Sequence, residues 1–258
     1  NLEEIEYLKH YQLEEDHWWF RGRRGIAFNL LKDNLPRRNN YSILDAGCGT
    51  GLNIKKLRKF GKVTGIDLSP HALGFCKKRG IRNVIQGPIE NMDFADSTFD
   101  IVTSFGVLYH KQVDDRKAVD EFYRVIRERG IVLITTPGMK WLRNKLFRTY
   151  HDYSMHTGKR HSKKELKALL EQAGFQVKKI SYFMTFLFLP VLFSRFIGNI
   201  INRVLLRDLH KQSEISMPPS ILNSLLEMIM GVEASLIQKT SLPFGVGLVV
   251  LAEKPIKL

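Results

Sequence analysis

Cysteine is scarce in this chain: there are two, Cys48 and Cys76, among 258 residues. That is too few for a disulfide framework, and neither has metal-site spacing. No secretory-leader pattern opens the sequence, so a reducing, cytoplasmic compartment is expected. Internal repeats and low-complexity tracts are absent. Acidic residues are few beside basic ones, 26 Asp+Glu against 40 Lys+Arg, for a net charge of +14. Such an excess raises nucleic acid, anionic membrane or phosphorylated substrates as partners. A long unbroken apolar run is also missing. Residues 183–201 come nearest, but Pro190, Arg195, Gly198 and Asn199 interrupt them. A membrane span needs about twenty apolar residues with few charges.

What is present is an ordinary apolar share, 44%, and one distinctive stretch, Tyr41–Gly51, YSILDAGCGTG. A short apolar run ends in Asp45, and glycines follow at 47, 49 and 51 before a helical pattern. This reads as strand, tight turn, helix, and glycine suits the turn because it tolerates positive φ and lets a ligand approach the backbone. A second short strand, Val63–Ile66, ends in Asp67, placed to accept hydrogen bonds from ribose hydroxyls. The spacing is G-x-G-x-G rather than the pyrophosphate-binding G-x-G-x-x-G, and no Lys-Ser/Thr follows, which excludes a P-loop. Asp45 would repel a phosphate and attract an ammonium group. S-adenosylmethionine (SAM) fits: it has a ribose, an amino group and a sulfonium, and no phosphate.

On these residues the chain resembles the class I SAM-dependent methyltransferases, and the likeness continues through VIQGPIENMDF (84–94), FDIVTSFG (99–106) and DEFYRVIRERGIVLITTP (120–137). The ends, EEDHWWFRGRR (14–24) and LPFGVGLVVLAEKP (242–255), look like a bacterial and archaeal subgroup whose members often modify saccharides or lipid-linked intermediates. The resemblance implies that Asp45, Gly47 and Gly49 hold the methionine part within a loop that includes Cys48 and Gly51. It implies that Asp67 holds the ribose, that Leu68, Ile89 and Glu90 lie near the adenine, and that Phe105 and Gly106 flank the methionine end. Two departures stand out: Pro88 replaces an acid often found there, and Arg127–Gly130 replaces a Lys-Pro-Gly-Gly turn. His110, His156 and His161 are the candidate bases, since histidine titrates nearest neutrality. No metal is expected.

The expected fold is one α/β unit over 1–258: a Rossmann-like, mostly parallel seven-stranded sheet with its last strand antiparallel and helices on both faces. Within it, residues 1–36 form a helical arm, 41–183 the SAM-binding core, 184–241 an apolar helical insertion and 242–258 the final strand. Helices are expected near 26–35, 52–60, 70–79, 115–126 and 163–173, the last capped by Ser162 with Glu165 three residues on. The insertion would serve as a lid, a homodimer interface or a membrane contact. Residues 140–179 hold eleven Lys/Arg against three Asp/Glu. Near them, Met139–Tyr150 mixes Trp141 and Leu142 with Lys145 and Arg148, as in-plane interfacial helices do. The expected reaction is methyl transfer to a small-molecule, saccharide or lipid-linked acceptor at oxygen, peripheral to the inner face of a membrane. The Ser104–His110 stretch lacks the Asn/Asp-Pro-Pro-aromatic run common in methyltransferases of base amines, which disfavours such N-methylation, and nucleic acid is not the expected partner. An RNA-modifying enzyme and a non-catalytic SAM-fold subunit are the alternatives.

Overall fold

The computed structural model describes residues 2–36, 38, 40–143, 159–204 and 216–256. Two helices open the chain, α1 (Leu2–Leu13) and α2 (Trp18–Asn34). The latter starts eight residues earlier than periodicity suggests, because His17 caps it by accepting from the Trp19 N–H at 3.2 Å. Alternation follows: β1 (Tyr41–Ala46), α3 (Leu52–Leu57), β2 (Gly61–Asp67), α4 (Pro70–Lys78), β3 (Val84–Gln86), β4 (Phe99–Phe105), α5 (Asp115–Val125) and β5 (Ile126–Pro137). A 3-10 turn at Lys140–Arg143 comes next. Then come α6 (Lys163–Gln172), β6 (Gln176–Phe183), α7 (Phe188–Val204), α8 (Ser220–Lys239) and β7 (Gly247–Glu253). The strand order is β3-β2-β1-β4-β5-β7-β6, with β7 antiparallel to both neighbours. The expected seven-stranded, mostly parallel sheet is therefore present.

The apolar strands are buried on both faces, as a parallel sheet between helix layers requires. Ile43, Ile101, Leu133 and Leu251 point to one side, onto α2, α3 and α8. Their neighbours Leu44, Val102, Val132 and Val250 point to the other, onto α5 and α6. This is the two-residue period of a strand. At the α2–α8 seam, a Cβ at Gly22 would stand 2.6 Å from Met230 Cβ, so the helices touch where there is no side chain.

Arg127–Gly130 is an excursion inside β5. Phe99 pairs with Ile126 and Ile101 with Ile131, four residues facing one. Arg129 takes φ 60°, while Arg127 donates to Ser97 O at 3.1 Å and pairs with Asp100 at 3.2 Å. The departure from the family's turn thus closes a local ion pair at the sheet edge remote from the glycine loop.

In the insertion, α8 is long and apolar enough to cross a bilayer. It packs along α2 through Met230, Ala234 and Ile237, and it buries a carboxylate, Glu233. Glu233 accepts from the N–H groups of Met184 at 2.6 Å and Phe186 at 2.7 Å, which holds the turn from β6 into α7. Burial raises its pKa, against those bonds. The outer faces stay apolar and exposed, with Leu189 and Phe193 on α7 and Ile221 and Met228 on α8.

Candidate active site

The glycine loop hangs from the carboxyl end of β2. Gly47 and Cys48 donate to Ile66 O at 2.8 and 3.0 Å, and Gly49 donates to Asp67 Oδ2 at 2.8 Å. Gly47, Gly49 and Gly51 all have positive φ. A Cβ at Gly47 would stand 2.3 Å from Val107, whereas one at Gly49 would meet nothing within 4 Å. Gly47 is therefore needed for packing, while Gly49 borders open space that a ligand could fill. Cys48 points away from that space: its sulfur lies beside Gly65, behind the loop, and its hydrogen bond with Cys76, together with burial, raises the pKa of its thiol.

Asp45 is 1% exposed. One carboxylate oxygen accepts from the Thr103 hydroxyl at 2.8 Å; the other is buried without a partner. A buried acceptor left unpaired is costly, and here it lies beside the open face of the loop. Burial pushes its pKa up to about 7, with Asp67 adding to the rise and Thr103 opposing it. Arg23, half-buried on α2, lies within electrostatic reach of Asp45 and 2.9 Å from where a Gly106 Cβ would be. An ammonium group at Asp45 and a carboxylate at Arg23 would satisfy both charges. The methionine end of SAM has that pair of groups.

Asp67, 8% exposed, also accepts from Ser69 N at 3.0 Å, so it ties the glycine loop to the β2–α4 turn. Leu68 beside it is 58% exposed. Ile89 is buried against Ile66, and Glu90 accepts from Asp114 N at 3.1 Å, so the turn after β3 is pinned to the start of α5. Phe105 packs in the core against Phe28.

The arm closes over this edge. Glu14 accepts from the Thr50 hydroxyl and pairs with Arg79 at 2.7 Å, and Arg24 donates to Glu14 O at 2.8 Å. Arg79 also donates to Tyr11 O and lies over the Tyr11 ring. Burial raises the pKa of Glu14, against its bonds to Thr50 and Arg79. Nothing in the local sequence marks Glu14, because its partners lie 36 and 65 residues away.

Next to Gly106 a cavity of about 410 Å³ opens at the carboxyl ends of β4, β5 and β6, roofed by Trp18, Trp19 and Arg23 of the arm and walled by α7. Thr135 lines it, 1% exposed, with an unpartnered hydroxyl. Neither His110 nor His161 is among the lining residues. His110 sits in the turn after β4, stacked on Tyr109. His161 bonds through Nε2 to Asp115 Oδ2 at 2.9 Å. Despite burial, bonds from Lys159 and His161 hold the Asp115 carboxyl below its usual range. His161 thus fastens the loop before α6 to α5. His156 lies outside the described residues. Among the described residues, the titratable lining groups besides the arginines are His17, whose pKa burial lowers, and Tyr109. Sequence reasoning passed over Tyr109 because its neighbour His110 titrates nearer neutrality; its place in the turn after β4 was the available signal.

Residues 44–134 match a family model described as "Methyltransferase domain". A probable S-adenosylmethionine-dependent methyltransferase of Mycolicibacterium smegmatis is 28% identical over 171 residues, covering 64% of this chain and 62% of that protein. A malonyl-[acyl-carrier protein] O-methyltransferase of Pectobacterium atrosepticum is 33% identical over 105 residues, 40% of this chain and 41% of its own length. The chain thus spans less than two thirds of these curated relatives. A putative sarcosine dimethylglycine methyltransferase from Galdieria sulphuraria shares the fold, with TM-score 0.58, 19% identity, and coverage of 92% of this chain and 87% of that one.

Proposed function

We propose that this chain, which carries a class I SAM-dependent methyltransferase domain, methylates a small-molecule, saccharide or lipid-linked acceptor at oxygen. The observation that carries the reading is the unpartnered carboxylate oxygen of Asp45 beside the open face of Gly49, one step from the cavity at Gly106. Asp45 and Arg23 would hold the two ends of the cofactor's amino acid, and Asp67 its ribose. SAM, when bound, supplies an electrophilic methyl on sulfonium. The chain's own work is to align an acceptor and exclude water, which Trp18 and Trp19 do from above. A hydroxyl acceptor also needs its proton taken; the Tyr109 oxygen, in electrostatic contact with Arg23, is the lining group placed for it.

Incubation of cell extract with methyl-labelled SAM tests the activity, with calorimetry against S-adenosylhomocysteine (SAH) testing the site. Wild type should bind SAH, and Asp67→Ala should bind at least tenfold more weakly. Equal affinity in the variant would sink the cofactor assignment.

The exposed apolar faces of α7 and α8, in a chain of net charge +14, support a cytoplasmic protein resting on the inner face of an anionic membrane. Flotation with anionic liposomes should recover wild type and lose Leu189→Glu/Phe193→Glu. Equal recovery would refute membrane contact, and a concentration-dependent dimer abolished by the same changes would assign that face to a second copy.

A further inference from the structure

We propose that the Thr135 side chain holds the acceptor's reacting hydroxyl, and that this hydroxyl is borne on an apolar body. That role rests on the oxygen-methyltransferase reading and adds to it the residue that meets the acceptor's oxygen.

Thr135 lies near the carboxyl end of β5, a strand paired on both edges, with Phe105 of β4 and with Val249 of β7 at this residue. Its carbonyl accepts from Gly106 N at 2.8 Å. With the backbone engaged in the sheet, the side chain is what Thr135 presents to the cavity it lines. That side chain is buried, and its hydroxyl has no hydrogen-bond partner among the described residues. A buried hydroxyl left unpaired costs stability. Neighbouring hydroxyls of the wall are engaged within the protein. Thr136 Oγ1 lies 3.5 Å from His161 Nδ1, and Ser194 donates to Val191 O at 2.9 Å inside its own helix. The missing partner of Thr135 is therefore a ligand atom. Its position says which one. A Cβ at Gly106 would stand 2.9 Å from Arg23 and 3.5 Å from the Tyr109 ring, while the Gly106 N–H is bonded to Thr135. Gly106 borders the cofactor's methionine end in the reading above, so an acceptor oxygen bonded to Thr135 lies where the methyl is delivered. Thr135 neither gains nor loses a proton in this role; it fixes the direction of the oxygen.

Much of the surrounding wall is apolar, from Trp18, Phe183, Met184, Val191 and Val246. Apolar walls with a few placed polar groups suit a ligand of the same make. A free sugar would leave that surface unused, whereas a hydroxyl on a hydrocarbon ring or chain meets both the wall and Thr135.

Calorimetry on the full chain with saturating SAH, titrating 2-naphthol and naphthalene, tests the contact, because the two probes differ by the hydroxyl alone. Wild type should bind 2-naphthol about tenfold or more tightly, since a site with an unpaired polar group rejects the analogue that cannot meet it. Thr135→Val, which keeps the shape of the side chain, should abolish or reverse that preference, and Thr135→Ser should retain most of it. SAH affinity should stay within about twofold in both variants. Thr135→Val should also raise the thermal midpoint of the ligand-free protein by about 2–4 °C, because a methyl replaces the unpaired hydroxyl. A hydroxyl with a structural duty would lower the midpoint instead, and that result counts against the proposal. Equal binding of the two probes by wild type, binding of neither, or an unchanged preference in Thr135→Val overturns it. Failure of wild type to bind SAH would instead remove the methyltransferase reading beneath it.

Discussion

Cofactor affinity should depend steeply on pH because Asp45 must be ionised to hold an ammonium group. In the ligand-free protein its carboxyl titrates near 7, raised from 3.8 by burial. At pH 6 about one Asp45 in eleven is ionised, and at pH 7 about half. Apparent SAH affinity should then fall about twofold from its high-pH limit at pH 7 and about elevenfold at pH 6, a tenfold loss per unit below that. Binding should release about 0.9 proton at pH 6 and about 0.1 at pH 8. Calorimetry in two buffers of different ionisation enthalpy reads both quantities. The sign for stability is opposite. Because the folded pKa lies above the unfolded one, the native state holds an extra proton between them. Asp45 therefore costs the empty fold progressively as pH rises from 3.8 through 7, up to about 4 kcal/mol above it. Asp45→Asn should stabilise the ligand-free protein at pH 8 in urea unfolding while flattening the pH dependence of SAH binding. A wild-type affinity constant from pH 5.5 to 8.5, with no proton release, would refute the assignment of Asp45 to the ammonium group.

Other consequences concern the arm and the seams. Glu14→Ala removes the main partner of a largely buried Arg79 and should destabilise the protein by about 3 kcal/mol, as broken buried ion pairs do; denaturant unfolding checks the size, and faster proteolysis near Asp16 checks that the arm has lifted. Gly22→Leu drives a side chain into Met230 and should cost about 1–3 kcal/mol by overpacking, while Gly22→Leu/Met230→Ala should recover part of it. Asp115→Asn weakens the ties to Lys159 and His161. Its native carboxyl titrates below the unfolded value, so the stabilisation it provides is present above pH 4 and lost as pH falls. A thermal midpoint unchanged by the substitution at pH 7 would show the tie to be worth nothing.

Much of the framework was legible in local pattern. The Ser162–Glu165 capping box is present, and the paired apolar residues Ile43–Leu44 and Ile101–Val102 announced strands buried on both faces. Glycines at 47, 49 and 51 announced a loop built on positive φ. Periods of two and 3.6 residues are written into neighbouring positions, so they survive without knowledge of the rest of the chain. The polar pairings were not legible. Glu14 with Thr50 and Arg79, Glu233 with the turn at 184–186, and His161 with Asp115 join residues that only the crossovers bring together. For that reason His161 read as a candidate base, whereas the structure engages it in a bond to α5.

The sequence by itself determined the kind of loop and the two acids at the ends of β1 and β2, because glycine's backbone freedom and carboxylate chemistry belong to single residues. Tertiary structure alone decided which oxygen of Asp45 is left unpaired, which arginines share one cavity, and that Tyr109 rather than His110 faces it. Those properties belong to distances across the sheet, and a charge acquires its role from what is buried beside it.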